Sequence, residues 1–175
     1  MGNADMNTEV CNTFPTPIEA RFIRIQPVGW NNHTSLRFEI LKCKGTCSGN
    51  WTYYDDACYY VNTTLMLFDE AVSMCESMGT ILTSIHTQAE NDFVQSMKIG
   101  IEAWIGLHDR TQEGVFEWLD ETQTSYFRWS TYQPNNANGG QDCVNMLYTG
   151  GWADQPCATF ESGAICKKIA DQTIY

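Results

Sequence analysis

Trp104-Ile-Gly-Leu107, Phe116-Glu-Trp118, Gln133-Pro-Asn135, Asp142-Cys-Val144 and Trp152-Ala-Asp154 followed by Cys157 form the succession that decides the fold. Short aromatic strands alternate here with Gly, Asn and Pro turns, from Ala103 onward. The largest irregular stretch runs from Ser130 to Asp142. A loop of that length inside a compact domain is usually functional or disordered.

Upstream, Leu65 to Gly79 places Phe68, Ala71, Val72 and Cys75 at helical spacing, with Gly79 as a C-cap. Thr87 to Lys98 reads as a second amphipathic helix, capped by Thr87 with Glu90 three residues on and predicted to turn Ala89, Phe93 and Met97 inward. Earlier still, Arg21-Phe-Ile-Arg-Ile-Gln26 and Leu36-Arg-Phe-Glu-Ile-Leu41 alternate apolar and polar residues around a turn-rich Val28 to Thr34, which predicts an antiparallel hairpin with Trp30 at its exposed turn. An isolated hairpin is marginal in water, so it should pack on something else. The texture changes at Lys42-Cys-Lys-Gly-Thr-Cys47, where a domain junction near Lys44 is expected.

A chain of 175 residues with 43% hydrophobic content supports one ordinary core and an appendage. Its 8 cysteines are widely spaced, with no Cys-x-x-Cys pair, which favours disulfides in an oxidising compartment. Asn-x-Ser/Thr triplets at Asn32, Asn50 and Asn62 agree with secretion. The formal charge of −11, with 10 scattered Lys and Arg residues, argues against nucleic acid or anionic lipid as partner. No apolar run approaches the roughly 20 residues of a membrane span. The opening Met-Gly-Asn-Ala-Asp lacks the charged and apolar regions of a signal peptide, so the natural N-terminus and any anchor are expected to lie outside this sequence. His33, His86 and His108 lack metalloenzyme spacing and read as lone surface histidines, so an enzyme is not expected.

Over residues 47 to 168 the motifs quoted at the outset resemble the C-type lectin-like family in order and spacing. That resemblance implies an α+β fold with two helices, short antiparallel strands and a long irregular loop. It also implies the bridges Cys75–Cys166 and Cys143–Cys157, and Cys47–Cys58 as the extra bridge of the family's long form. Residues 2 to 43 are similar to the C-terminal end of a coagulation-factor-type discoidin domain, on Asn7-Thr, Phe14-Pro-Thr-Pro17, Ala20-Arg-Phe-Ile-Arg-Ile25 and Leu36 to Cys43. The piece is too short for that family's jelly roll. Cys43 then has either Cys11 as its partner, or both are free or intermolecular thiols. The expected layout is a discoidin fragment over 1–44, the lectin-like domain over 45–168 and a tail over 169–175.

Sugar-binding members of the family use a loop calcium whose ligands would fall here on Gln133, Asn135, Gln141, Ala153 and Asp154. Calcium takes six to eight oxygens and its affinity follows carboxylate count. Gln133-Pro-Asn135 brings no carboxylate, Gln141 stands where Glu is usual, and Ala153 has no side-chain oxygen. Only Asp154 is anionic, so calcium is expected to bind poorly there. The accessory position keeps Asp109, Glu113, Asn136, Asp142 and the Gln141 carbonyl, a better-charged cage. At a further calcium position Glu90 would face Lys167, which predicts an ion pair in place of the metal.

Two functions stay open on this reading. One is glycan recognition with weak or atypical calcium dependence. The other is a calcium-independent, protein-binding adhesion or receptor module, or a structural matrix component. Both place the chain as secreted or as the extracellular part of a larger protein, with a glycan or an extracellular protein as partner. The oligomeric state is left open.

Overall fold

The protein is described here by a computed structural model over residues 45–98 and 100–172. The hairpin segments, Cys11 and Cys43, Asn32 and Trp30 lie outside the described residues. Residues Lys44–Thr173 form one compact unit.

Along the chain come β1 (Gly45–Thr46), β2 (Thr52–Tyr54), β3 (Ala57–Met66), α1 (Phe68–Ser77), β4 (Ile81–Leu82) and α2 (Gln88–Met97). They are followed by β5 (Ala103–His108), β6 (Glu117–Trp118), β7 (Cys143–Met146), β8 (Trp152–Gln155), β9 (Ser162–Ile169) and β10 (Asp171–Gln172). An 8-stranded sheet runs in the order β2-β3-β9-β5-β7-β8, with β4 on β9 and β6 on β5. The α+β class read from the sequence is the one observed. The pairing is not all antiparallel, because β5 lies parallel to β9. Asp171 and Gln172, read as part of a tail, instead pair with β1.

Side-chain alternation along β5 divides the core. Ala103, Ile105 and Leu107 join Ile85, Val94, Trp118, Val144, Met146, Trp152 and Ile165 on one side, while Trp104 points to Phe68, Ala71, Cys75, Leu82 and Cys166 under α1. Gly106 lies between them for want of space, since a Cβ there would stand 2.7 Å from the Leu82 carbonyl oxygen. Trp104, Trp118 and Trp152 are fully buried, and Trp129 packs half-buried against the core.

Glu70 opens α1 by accepting the Leu67 N–H, and Gly79 at φ +68° closes it, its N–H donating to the Glu76 carbonyl. Thr87 caps α2, accepting the Glu90 N–H. The inward face of α2 is in part the one the sequence suggests, since Phe93 and Met97 pack against the core. Ala89 is exposed, and Glu90, Asn91 and Val94 are buried. Polar burial is possible because each polar group finds partners: Asn91 donates to the Gly150 carbonyl and accepts from the Trp152 indole, both across the fold.

Glu90 and Lys167 form the expected ion pair, Nζ to Oε1 2.7 Å. The Tyr59 hydroxyl donates to the same carboxylate and the His86 N–H to its other oxygen. Burial works to raise the Glu90 carboxyl, but Lys167, His86 and Tyr59 outweigh it and hold it below the ordinary range. Burial and the facing Glu90 carboxylate push the Tyr59 phenol upward.

Cys47–Cys58, Cys75–Cys166 and Cys143–Cys157 are bonded, with Cα separations of 5.7, 5.6 and 5.2 Å. No helix among the described residues is long and apolar enough to cross a membrane.

Candidate functional site

The long loop, Ser130 to Asp142, follows Trp129, which bridges to Trp152 on β8, and returns where β7 begins. Its base is closed twice: the Asp109 N–H donates to the Asp142 carbonyl at 3.2 Å, and Cys143 is bonded to Cys157. Further along, Ser130 and Trp152 exchange backbone contact, the Ser130 N–H donating to Trp152 O at 2.9 Å, while the Trp152 N–H reaches Arg128 O at 2.7 Å. The Gln133–Pro134 peptide is cis, and Tyr132, Asn136 and Asn138 hold positive φ. Asn tolerates that region because its short amide bonds locally.

Asp154, on β8 and 1% exposed, holds the loop in shape. The Asn135 N–H donates to both of its carboxylate oxygens at 3.0 Å, and the Asn136 N–H donates to Oδ2 at 2.6 Å. The other candidate ligands of the loop are used in the same way. The Ala137 N–H donates to Asn135 Oδ1 and Gln141 Oε1, and Asn136 Oδ1 accepts from the Gly140 and Gln141 N–H groups. Only Gln133 Oε1 is buried without a partner. Ala153 is 1% exposed and brings no oxygen. Apart from Gln133, the side-chain donors expected for a loop calcium are therefore taken up by backbone amides of the loop itself, and this set does not fit a cation that requires six to eight oxygens.

The Asp109 region is built differently. Asp109 is buried; its Oδ2 accepts the Gly114 N–H, while Oδ1 is buried with no partner. Partial desolvation, then the charges of Asp109, Asp142 and Asp154, push the Glu113 carboxyl upward. Carboxylates are thus close enough to repel one another, and a buried carboxylate oxygen is left over. Asn136 turns its Oδ1 to the loop amides instead. Among the described residues no three or more His, Cys, Asp and Glu side chains are gathered as a ready-made metal cluster. Asp109 and Glu113 bring carboxylate oxygens of the kind a hard cation takes, and Asp142 adjoins Asp109 through its carbonyl.

His86 and His108, read as surface residues, are partly buried. Burial lowers the His108 imidazole, with Glu117 opposing. Its Nδ1 lies 3.9 Å from Glu117.

Residues 64–168 match the Lectin C-type domain. The chain belongs to the C-type lectin domain family. The mouse low affinity immunoglobulin epsilon Fc receptor is 35% identical over 139 residues, which cover 77% of this chain and 42% of that receptor. This lectin chain therefore spans less than half of that relative. The cow C-type carbohydrate-recognition domain of CD23, solved in the presence of GlcNAc2Man3 oligosaccharide, superposes with a TM-score of 0.69 at 35% identity, covering 72% of this chain and 98% of that one. A calcium-independent type II antifreeze protein superposes with a TM-score of 0.68 at 29% identity, over 73% of this chain and 97% of that one. The family accordingly includes a member described as calcium-independent.

Proposed function

We propose that this lectin domain recognises an extracellular glycan through the surface of its long loop, without a sugar-chelating calcium at Gln133, Asn135, Gln141 and Asp154. The supporting observation is the Asp154 carboxylate, whose two oxygens receive the Asn135 and Asn136 N–H groups. A carboxylate so bonded fixes the loop from within, and the exposed Tyr132 beside it offers an aromatic face for a sugar ring. Calcium acts instead on Asp109, Glu113, Asn136, Asp142 and the Gln141 carbonyl. When bound, it supplies the positive charge that relieves carboxylate repulsion at the loop base. Asp109 and Glu113 approach one another there, and the Asp109 N–H ties the strand end to Asp142.

The same saturation of loop oxygens supports a second reading, a protein-binding adhesion or receptor module, or a structural matrix component, that uses this surface with no metal. In either case the domain works by binding rather than catalysis, in a secreted protein or in the extracellular part of a larger one. Residues 2–43 are proposed as the end of a discoidin domain, with Cys11 as the partner of Cys43, and Asn32, Asn50 and Asn62 as glycan acceptors.

A glycan panel probed with and without chelator tests the reading. Oligosaccharide binding that survives chelation, with monosaccharides weak, is the expected result. Gln133→Glu, Gln141→Glu and Ala153→Asn together should add chelator-sensitive, mannose-type binding. Tight, chelator-sensitive sugar binding by the unaltered chain would overturn it, and no glycan binding at all would favour the protein-binding reading.

A further inference from the structure

A groove of about 230 Å³ lies at the end of the sheet opposite the long loop. The loop returns beside the His108 end of β5, which pairs with Cys143; the groove lies by its Ala103 end, where Ala103 pairs with Met146 and Gly163. Its apolar walls are Leu65, Ile101, Tyr148 and Phe160. Leu65 is 60% exposed and Tyr148 63%, although both are large apolar side chains flanking one depression.

The polar groups of the groove are almost all acceptors. Glu102 lines it and receives the Asn145 amide N–H at 3.1 Å, leaving Asn145 Oδ1 buried behind it with no partner. Ser162, 1% exposed, also lines it and has a hydroxyl with no partner. Glu161 has no ion pair among the described residues. The neighbouring cation, Lys98, faces inward: its Nζ donates to Ile101 O at 3.0 Å and Leu147 O at 2.7 Å, clamping the two walls from behind. It acts on Glu102 electrostatically.

We propose that this groove is a second binding site, for an arginine side chain presented by a protein partner. A sugar hydroxyl both donates and accepts, whereas a guanidinium carries five N–H donors and no acceptor, the complement of a site whose polar lining is two carboxylates and a hydroxyl. Its plane stacks on an aromatic face such as Tyr148, and its methylene stem packs along Leu65, Ile101 and Phe160. The net charge of −11 steers a basic partner toward the domain. This site is independent of the long loop and stands whichever ligand that loop takes.

The test is a titration of the whole isotope-labelled chain with N-acetyl-arginine methylamide, followed by amide NMR, against the citrulline counterpart of the same shape without charge. Saturable shifts should centre on Ile101, Glu102, Tyr148 and Glu161 to Gly163, with citrulline at least about tenfold weaker, as the loss of a charged hydrogen-bonded pair requires. Glu161→Gln alters an exposed side chain and should weaken arginine binding severalfold with an unchanged melting temperature; adding Glu102→Gln should abolish it. Equal binding of citrulline, shifts confined to residues 133–142, no saturable shift, or undiminished binding by Glu161→Gln would each overturn the proposal.

Discussion

Replacing Asp154 by Ala removes the acceptor of two backbone N–H groups, those of Asn135 and Asn136, without touching the loop's sequence. A hydrogen bond to a charged group contributes about 1.5–3 kcal/mol net. Taking the low end for each donor gives about 3 kcal/mol of local stabilisation, or about a hundredfold in the closed-to-open ratio of the loop. Amide hydrogen exchange reads that ratio directly. In Asp154→Ala the Asn135 and Asn136 amides should exchange about a hundredfold faster, while the β5 and β7 amides stay protected, because the loop's outgoing end remains tied by Ser130 to Trp152 and its returning end by Asp142 to Asp109 and by the Cys143–Cys157 bridge. Asp154→Asn, which keeps one acceptor oxygen, should fall between. In the wild-type chain the same two amides should be equally protected with calcium and with chelator. Protection that collapses on chelation would show that an ion, and not Asp154 alone, holds the loop.

Four further outcomes follow from the core. Lys167→Met leaves Glu90 buried without its cation and should cost about 3 kcal/mol in urea unfolding, with much of that recovered when Glu90→Gln is added; a single-variant loss below about 1 kcal/mol would contradict the assigned role. The Glu90 carboxyl is held below its ordinary range, so its stabilisation is present above the unfolded value of 4.5 and lost as pH falls through the folded one, an acid limb that Lys167→Met should shorten. Burial lowers the Lys98 ammonium to about 8 against 10.5 unfolded, so the folded chain binds fewer protons between those values and stability should rise with pH across that window. Tyr59, raised by burial, opposes this only above pH 10, and a profile for Lys98→Met as steep as wild type from pH 8 to 10 would refute the assignment. Finally, Cys75–Cys166 spans 91 residues and Cys143–Cys157 only 14, so loop-closure entropy gives about 4.6 and about 3 kcal/mol for removing each by paired Ala substitution; the reverse order in denaturant melts would refute this ranking.

The stretch from Trp104 to Cys157 was legible because its signals are local: an aromatic strand, a turn, a cysteine at a loop base. Both helices were visible for the same reason, in Thr87 and Gly79 at their ends. The face of α2 was read only in part, Phe93 and Met97 packing inward as expected, because periodicity treats Glu90 and Asn91 as surface residues, and their burial depends on Tyr59, Lys167 and Trp152, remote in sequence. β3 escaped notice because its burial falls off along the strand instead of alternating, from Ala57, Cys58 and Tyr59 to exposed Thr63 and Thr64. The parallel contact of β5 with β9 joins residues about sixty apart, which no local pattern marks. At the site, the residue types of the loop were read correctly as poor in charge. That Asn135, Asn136 and Gln141 turn their side-chain oxygens to backbone amides of the loop could not be read from them. The groove beside Tyr148 was invisible for a similar reason, since Leu65, Glu102, Tyr148 and Ser162 meet only through the sheet.

Calcium titration of the purified chain by calorimetry, with melting temperature followed in parallel, tests the division between loop tip and loop base most directly. One ion is expected. Asp109→Asn should abolish the calcium-dependent rise in melting temperature and Gln133→Ala should leave it nearly intact, because carboxylate count favours the base. Loss of the rise in Gln133→Ala with Asp109→Asn unaffected, or two ions of similar affinity, would contradict the account.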